Sequence, residues 1–262
     1  MAINFPTSLD NFTNPSSGNT LDSPSHSLQH SDINDAVEAM QRKVGVGTAV
    51  AGSASAGQVL TISAAGTSTW STPSAGGFIQ LVPTSVTVSG AGSSASTSAN
   101  GGVTFTTCAT VSLNGIFSST YENYRIIFTT SNFSASDALT MRLRASGTDA
   151  SGANYSYSGT KNASNTATIS ALNASGQTSI ALGSTNSGAG DRFGVVIDIF
   201  KPYKNFTNKV MHIVVAGQDG SGFYNRHQVG LVDGGTYIFD GLTMLMASGN
   251  MTGTINAYSY RD

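Results

Sequence analysis

Few side chains in this 262-residue chain suit metal or nucleophilic chemistry, and the histidines come first. His26 and His30 are four apart, a spacing that sets two imidazoles on one helix face and chelates a metal when a third ligand is near. Pro24 and Ser27 argue against a helix there, and no third ligand lies nearby in the sequence. Cys108 is the single cysteine, so it forms neither an intrachain disulfide nor a cysteine zinc site; a small buried apolar role is expected. A serine nucleophile needs a histidine base and an orienting carboxylate. Of the remaining histidines, His227 follows a turn and His212 falls inside a predicted strand, on the face opposite Met211 and Ile213. There is no G-x-S-x-G elbow, P-loop, paired His-Glu zinc motif or EF-hand loop. Asp and Glu together number only 14, which leaves few carboxylates for a glycosidase pair. No catalytic residue, metal or cofactor is predicted.

Binding chemistry is better represented. Tyr155 and Tyr157 follow the turn SGTDASGAN, and Phe223, Tyr224, Asn225, Arg226 and His227 follow QDGSG. A sugar's C–H face stacks on an aromatic ring while neighbouring Asn, Ser and Arg groups satisfy its hydroxyls. These seven are the candidate receptor-binding residues; the competing role for each is packing within a strand or between protomers. Composition narrows the partners. Lys and Arg number 12 and the formal charge is -2, which removes the basic footprint of a phosphate-backbone binder, so no nucleic acid is expected. Charged residues are 10% of the chain, against roughly 25% in an ordinary soluble domain. With 30 glycines and abundant Ser, Thr and Asn, the predicted exterior is rich in hydroxyls and amides. The N-terminus has no basic region followed by an apolar one, and nowhere do eighteen apolar residues run together, so neither a signal peptide nor membrane insertion is expected.

The elements that must position these residues change character along the chain. Residues 1–30 carry isolated apolar residues at no fixed period and read as an extended arm. Residues 31–45 read as the one helix, with cap residues in front, Arg42 and Lys43 in the last turn and Gly45 beyond. Its Ile33, Val37, Met40 and Val44 are spaced 4, 3, 4, the narrow seam of a short coiled coil. So short a helix is marginal alone and needs a partner surface, either its own chain's globular domain or copies of itself; the low-complexity stretches on both flanks favour the copies. Residues 46–77 form a Gly/Ser/Thr-rich linker with a short hairpin around Val59, Leu60 and Trp70. From 78 to 262 apolar residues alternate: Val86 and Val88, Val103 and Phe105, Val111 and Leu113, Tyr124 to Phe128, Leu139 to Leu143, Val195 to Ile199, Met211 to Val215, Tyr237 to Met246, Ile255 to Tyr260. About ten strands without an intervening helix predict a mainly β chain whose C-terminal part is an antiparallel, jelly-roll-like β-sandwich.

Several phrases carry a family likeness. SPSHSLQHSDINDAVEAMQRKVG at 23–45 resembles a segment recurrent in structural proteins of tailed bacteriophages, and GQVLTISAAGTSTWSTP at 57–73 resembles the phrase of phage tail fibres that precedes their distal domains. Three later segments add to this: FSSTYENYRIIF at 117–128, LTMRLRASGTDASGANYSY at 139–157 and SGNMTGTINAYSYRD at 248–262. In the last, Ser259 stands where the family commonly has Gly. The chain is thus similar, over about half its length, to tail-fibre or receptor-binding-type virion structural proteins of tailed bacteriophages. The resemblance implies a homotrimer assembled in the host cytoplasm and located in the virion, with no enzymatic activity. It implies attachment of the N-terminal arm to other tail, collar or capsid proteins. A head that binds a host-surface glycan or protein is one expectation; a decoration or collar fibre that binds only other virion proteins is the other.

Overall fold

The structure, a computed structural model, describes Ser17 and residues 26–44, 54–62, 67–73, 77–205, 208–220, 222–233 and 237–260; the side chains of 26–29, 42–44 and 189–192 are outside that description. The chain divides into two units, Met1–Ala75 and Gly76–Asp262. In the first, helix α1 spans His26–Val44, starting five residues before the predicted Ser31. The reason is local: Pro24 falls ahead of the first turn, where a missing N–H costs no helical bond, and Ser25 is a residue type that caps helices. Most of the predicted arm lies outside the described residues. On α1, Ile33 and Met40 are each 61% exposed, and Val37 is half-buried. The Val44 side chain lies outside the described residues. Strands β1 (Val59–Ile62) and β2 (Ser68–Ser71) form an antiparallel hairpin that sets Trp70 opposite Leu60.

The second unit is built of antiparallel strands. They are β3 (Phe78–Leu81), β4 (Ser85–Ser89), β5 (Ser94–Thr97), β6 (Val103–Cys108), β7 (Thr110–Asn114), β8 (Asn123–Phe133), β9 (Ala138–Ala145), β10 (Thr148–Asp149), β11 (Tyr155–Ala163), β12 (Ser170–Gln177), β13 (Ile180–Ser184), β14 (Gly188–Phe200), β15 (Lys209–Asp219), β16 (Gly222–Val232), β17 (Gly241–Met246) and β18 (Met251–Tyr260). One sheet runs β10-β9-β17-β7-β4, with β13 also on β9. The larger runs β12-β11-β16-β15-β14-β8-β18-β6-β5, with β3 also on β18. Period-two alternation gives each strand one apolar face, and those faces from both sheets meet in a single cluster that includes Phe105, Val111, Phe128, Leu139, Ile197, Ile213 and Leu242.

Sequence periodicity misses β11, β12 and β16, and the buried faces explain why. Along β16 the inward residues are Tyr224, Arg226, Gln228 and Gly230, and along β11 they include Gly159 and Lys161, so polar and small residues hide the alternation. NSGAG at 186–190, which reads as a turn, instead leads into β14 from Gly188. Conversely, the run from Tyr237 becomes a strand only from Gly241.

Irregular register across four adjacent strands makes a crease in the larger sheet. Pairing of β14 with β8 jumps between Ala189 and Phe193, pairing of β18 with β8 shifts between Thr252 and Gly253, and pairing of β18 with β6 shifts between Met251 and Gly253. Thr107, next to the last of these, has a φ of 55°. Bulges bend strands and increase twist locally, so aligned bulges curl the sheet along one line.

Candidate functional site

Pairing of β11 with β16 makes the two predicted clusters strand neighbours, but at opposite ends. Tyr155 faces Val232 and Ala163 faces Tyr224. Eight residues of strand, about 27 Å, separate those ends, so the seven residues do not form one site.

Three of the seven turn inward. Tyr155 is buried; its hydroxyl donates to the Ala150 carbonyl at 2.8 Å and accepts from the Leu143 N–H at 3.0 Å, and burial pushes its phenol up to about 12. Tyr224 is also buried and donates to the Ser184 carbonyl at 2.7 Å, with desolvation raising its phenol further. Its ring meets Phe193 edge-on at 6.3 Å and lies 4.5 Å from Lys161 Nζ. Room for that ring depends on glycines: a Cβ on Gly183 would stand 2.2 Å from the Tyr224 hydroxyl, and one on Gly217 would stand 2.8 Å from Phe193. Arg226 is buried too, and desolvation lowers its pKa. As solvent-facing contacts these three are corrected to packing residues, because the strict alternation of β16 and β11 puts them on the core side. Tyr157 is half-buried against the core. What remains outward on β16 is Phe223, Asn225 and His227.

Phe223 is 64% exposed and stands between two clefts. The larger, about 720 Å³, is lined by Thr129, Thr130, Ser131, Phe193, Gly194, Ala216, Gly217, Phe223 and Tyr224. The smaller, about 280 Å³, is lined by Asn162, Ala163, Ser164, Phe223, Tyr224 and Asn225. Thr130 lines the larger cleft, and its buried hydroxyl has no hydrogen-bond partner. The sheet register explains the depression. Thr254, Thr129, Gly194, Ala216, Asn225 and Asn162 lie side by side across β18, β8, β14, β15, β16 and β11. The next row, Ile127, Val196, Val214 and His227, carries larger side chains on the same face. A row of small residues beside a row of large ones makes a groove across the strands, next to the crease.

Nothing in the residue pattern marks Thr129, Ser131, Gly194, Ala216 or Asn162, since small polar and small apolar residues are the background of this composition. Only the register brings them together.

Two other polar clusters are structural. Asp198 accepts Arg125 Nε and Nη2 at 2.7 Å each and Tyr260 Oη at 2.6 Å. Burial raises the Asp198 pKa, but the bonds from Arg125 and Tyr260 together with the Arg125 charge outweigh it and hold the carboxyl below its ordinary value. Phe78 covers the guanidinium at 5.0 Å. On the smaller sheet Arg144 donates to Asp149, to the Gly147 carbonyl, to Asn114 at 2.9 Å, and to Ser112 and Thr243 at 3.0 and 2.8 Å. Neither cluster leaves an open nucleophile or base.

Among the described residues, no three His, Cys, Asp or Glu side chains stand together to hold a metal ion, and no helix is long and apolar enough to cross a membrane. His26 and His30 both fall on α1. No family model, curated protein or solved structure matches the chain.

Proposed function

We propose that this chain is a fibre-type structural protein of a tailed-bacteriophage virion whose C-terminal β head attaches to the host cell surface. The observation that carries the reading is the outward face of β16, where an exposed Phe223 and the amide of Asn225 border a groove on a rigid sheet whose described lining residues carry no charge. Binding groups on a scaffold whose strands are paired on both sides keep their geometry without induced ordering. In this reading the two sheets form a jelly-roll-like sandwich and α1 associates with two copies of itself as a short parallel coiled coil. Residues before α1 engage other virion proteins. Support comes from the sequence likeness at 57–73, 117–128, 139–157 and 248–262, and from the exposed Ile33 and Met40 on α1.

The second reading, a decoration or collar fibre that binds only virion proteins, is favoured by a different observation. Phe200 and Val210 are exposed register partners on β14 and β15, Val229 is exposed near them on β16, and neighbouring apolar residues on one face suit docking to protein. Competition separates the two. Excess purified protein slows adsorption of the parent particle to its host if the head is the adhesin. Undiminished adsorption, with the protein still incorporated into particles, overturns the first reading in favour of the second.

A further inference from the structure

We infer that the groove beside Phe223 is a binding site for an uncharged saccharide chain lying across the strands, an inference that rests on the attachment reading and names its ligand class. Four features support this. The groove floor from Thr129 through Gly194 and Ala216 to Asn225 and Asn162 crosses five adjacent strands, about 19 Å at the spacing of paired strands, which is the scale of an oligosaccharide rather than a single sugar. A Cβ built on Gly194 meets nothing within 4 Å, so the floor is open space above the sheet and not a void filled by neighbours.

Phe223, the second feature, stands between the two clefts and presents an aromatic surface to each. An apolar ring flanked by hydroxyls and amides matches a sugar, whose C–H face and hydroxyl edge point in different directions. Third, the rim offers Thr129, Ser131, Asn162, Ser164 and Asn225, each a donor or acceptor without charge.

The fourth feature is charge. Among the described residues no Lys, Arg, Asp or Glu lines either cleft. The nearest ion pair, Lys161 with Asp219 at 2.7 Å, sits on the opposite face of the sheet, beneath Tyr224. Among the described lining residues no cation answers the charge of an acidic polymer, and a strand-adding peptide would find no free edge, since β8, β14, β15, β16 and β11 are each paired on both sides.

The test uses the full-length protein on an array of neutral and acidic bacterial oligosaccharides, with Phe223→Ala, Phe223→Trp and Gly194→Leu compared by thermal melting and by binding to intact host cells. Binding to neutral oligosaccharides is expected. It should fall about tenfold in Phe223→Ala, persist in Phe223→Trp and disappear in Gly194→Leu, with melting unchanged because neither position contacts the core. Binding to acidic glycans alone, binding to none, or neutral binding untouched by all three variants overturns the inference. If cells are bound but binding survives periodate oxidation of their glycans, the saccharide fails while attachment stands. If neutral oligosaccharides are bound but no host cell is, the attachment reading fails and the saccharide site stands. A change of oligomeric state in Phe223→Ala without change in glycan binding makes the groove an interface between copies and overturns the inference.

Discussion

Tyr260 Oη donates a 2.6 Å hydrogen bond to Asp198 Oδ1 across an intervening strand. That strand is β8, and its Arg125 clasps the same carboxylate through two nitrogens. One carboxylate therefore ties together β14, β8 and the last strand of the head, and Phe78 from β3 closes over the guanidinium. Asp198→Asn should cost about 1–2 kcal/mol at neutral pH, less than a fully buried pair, because the Arg125 side chain is 31% exposed and screened by water. The pH dependence follows from the sign of the shift. The folded carboxyl titrates below its ordinary 3.8, so the unfolded chain binds the proton first as pH falls. Stability from this group is complete above about pH 5 and is lost as pH drops through 3.8 toward the depressed folded value. Urea melts at pH 7, 4 and 3 should show a shallower acid loss in Asp198→Asn than in the unsubstituted protein; parallel curves would refute the assignment.

Ser259 lies within the same strand, one residue from Tyr260, and is fully buried with a hydroxyl that has no partner. A buried unsatisfied hydroxyl costs about 1–3 kcal/mol of desolvation. Ser259→Ala removes that penalty and keeps the methylene that packs beside Tyr124 and Ile79, its register partners. The expected gain is about 0.5–1 kcal/mol, seen as a melting temperature higher by about 1–4 °C. A clear loss of stability would show that the hydroxyl has a role the geometry does not display.

What was legible in the sequence was the apolar half of the fold. Strands such as β8, β9, β14 and β15 alternate cleanly because their inward residues are Ile, Val, Leu, Met and Phe. The hairpin around Trp70 was equally readable from Val59 and Leu60. Illegible were the strands with polar or glycine inward positions, and with them the groove, because β16 and β11 supply two of the five strands of its floor. Tyr224 and Arg226 were misplaced for the same reason: next to a turn, an aromatic and a cation read as contacts, and only the parity of a strand shows that Phe223 and Asn225 face out while they face in. The helix start is hidden because Pro24 and Ser27 read as breakers, although a proline ahead of a first turn is compatible with a helix.

Tyr155→Phe separates anchoring from recognition. The hydroxyl satisfies the Ala150 carbonyl and the Leu143 N–H inside the protein, so its loss should destabilise the head by about 1–2 kcal/mol. It lies a strand's length from Phe223, so binding to cells or glycans should be unchanged at temperatures where the variant is folded. Loss of binding without loss of stability would return Tyr155 to the recognition surface.

The proposed trimer makes the sharpest demand on α1. Its 19 residues span about 28 Å and hold fewer than three heptads, too few for stable association by a seam alone, so assembly should be sensitive to any single layer. Ile33 and Met40 are exposed in the single chain, and Val37 lies between them in the seam. Val37→Asp would bring three carboxylates to one layer around the axis, where each is repelled by the others and desolvated. Light scattering at low micromolar concentration should therefore give a trimer for the unsubstituted protein and a smaller species for Val37→Asp. The melting transition of the β head should be the same in both, since the buried cluster of that unit contains no residue of α1. Trimers of undiminished stability in Val37→Asp would remove the helix from the assembly, and a monomeric unsubstituted protein would remove the assembly itself.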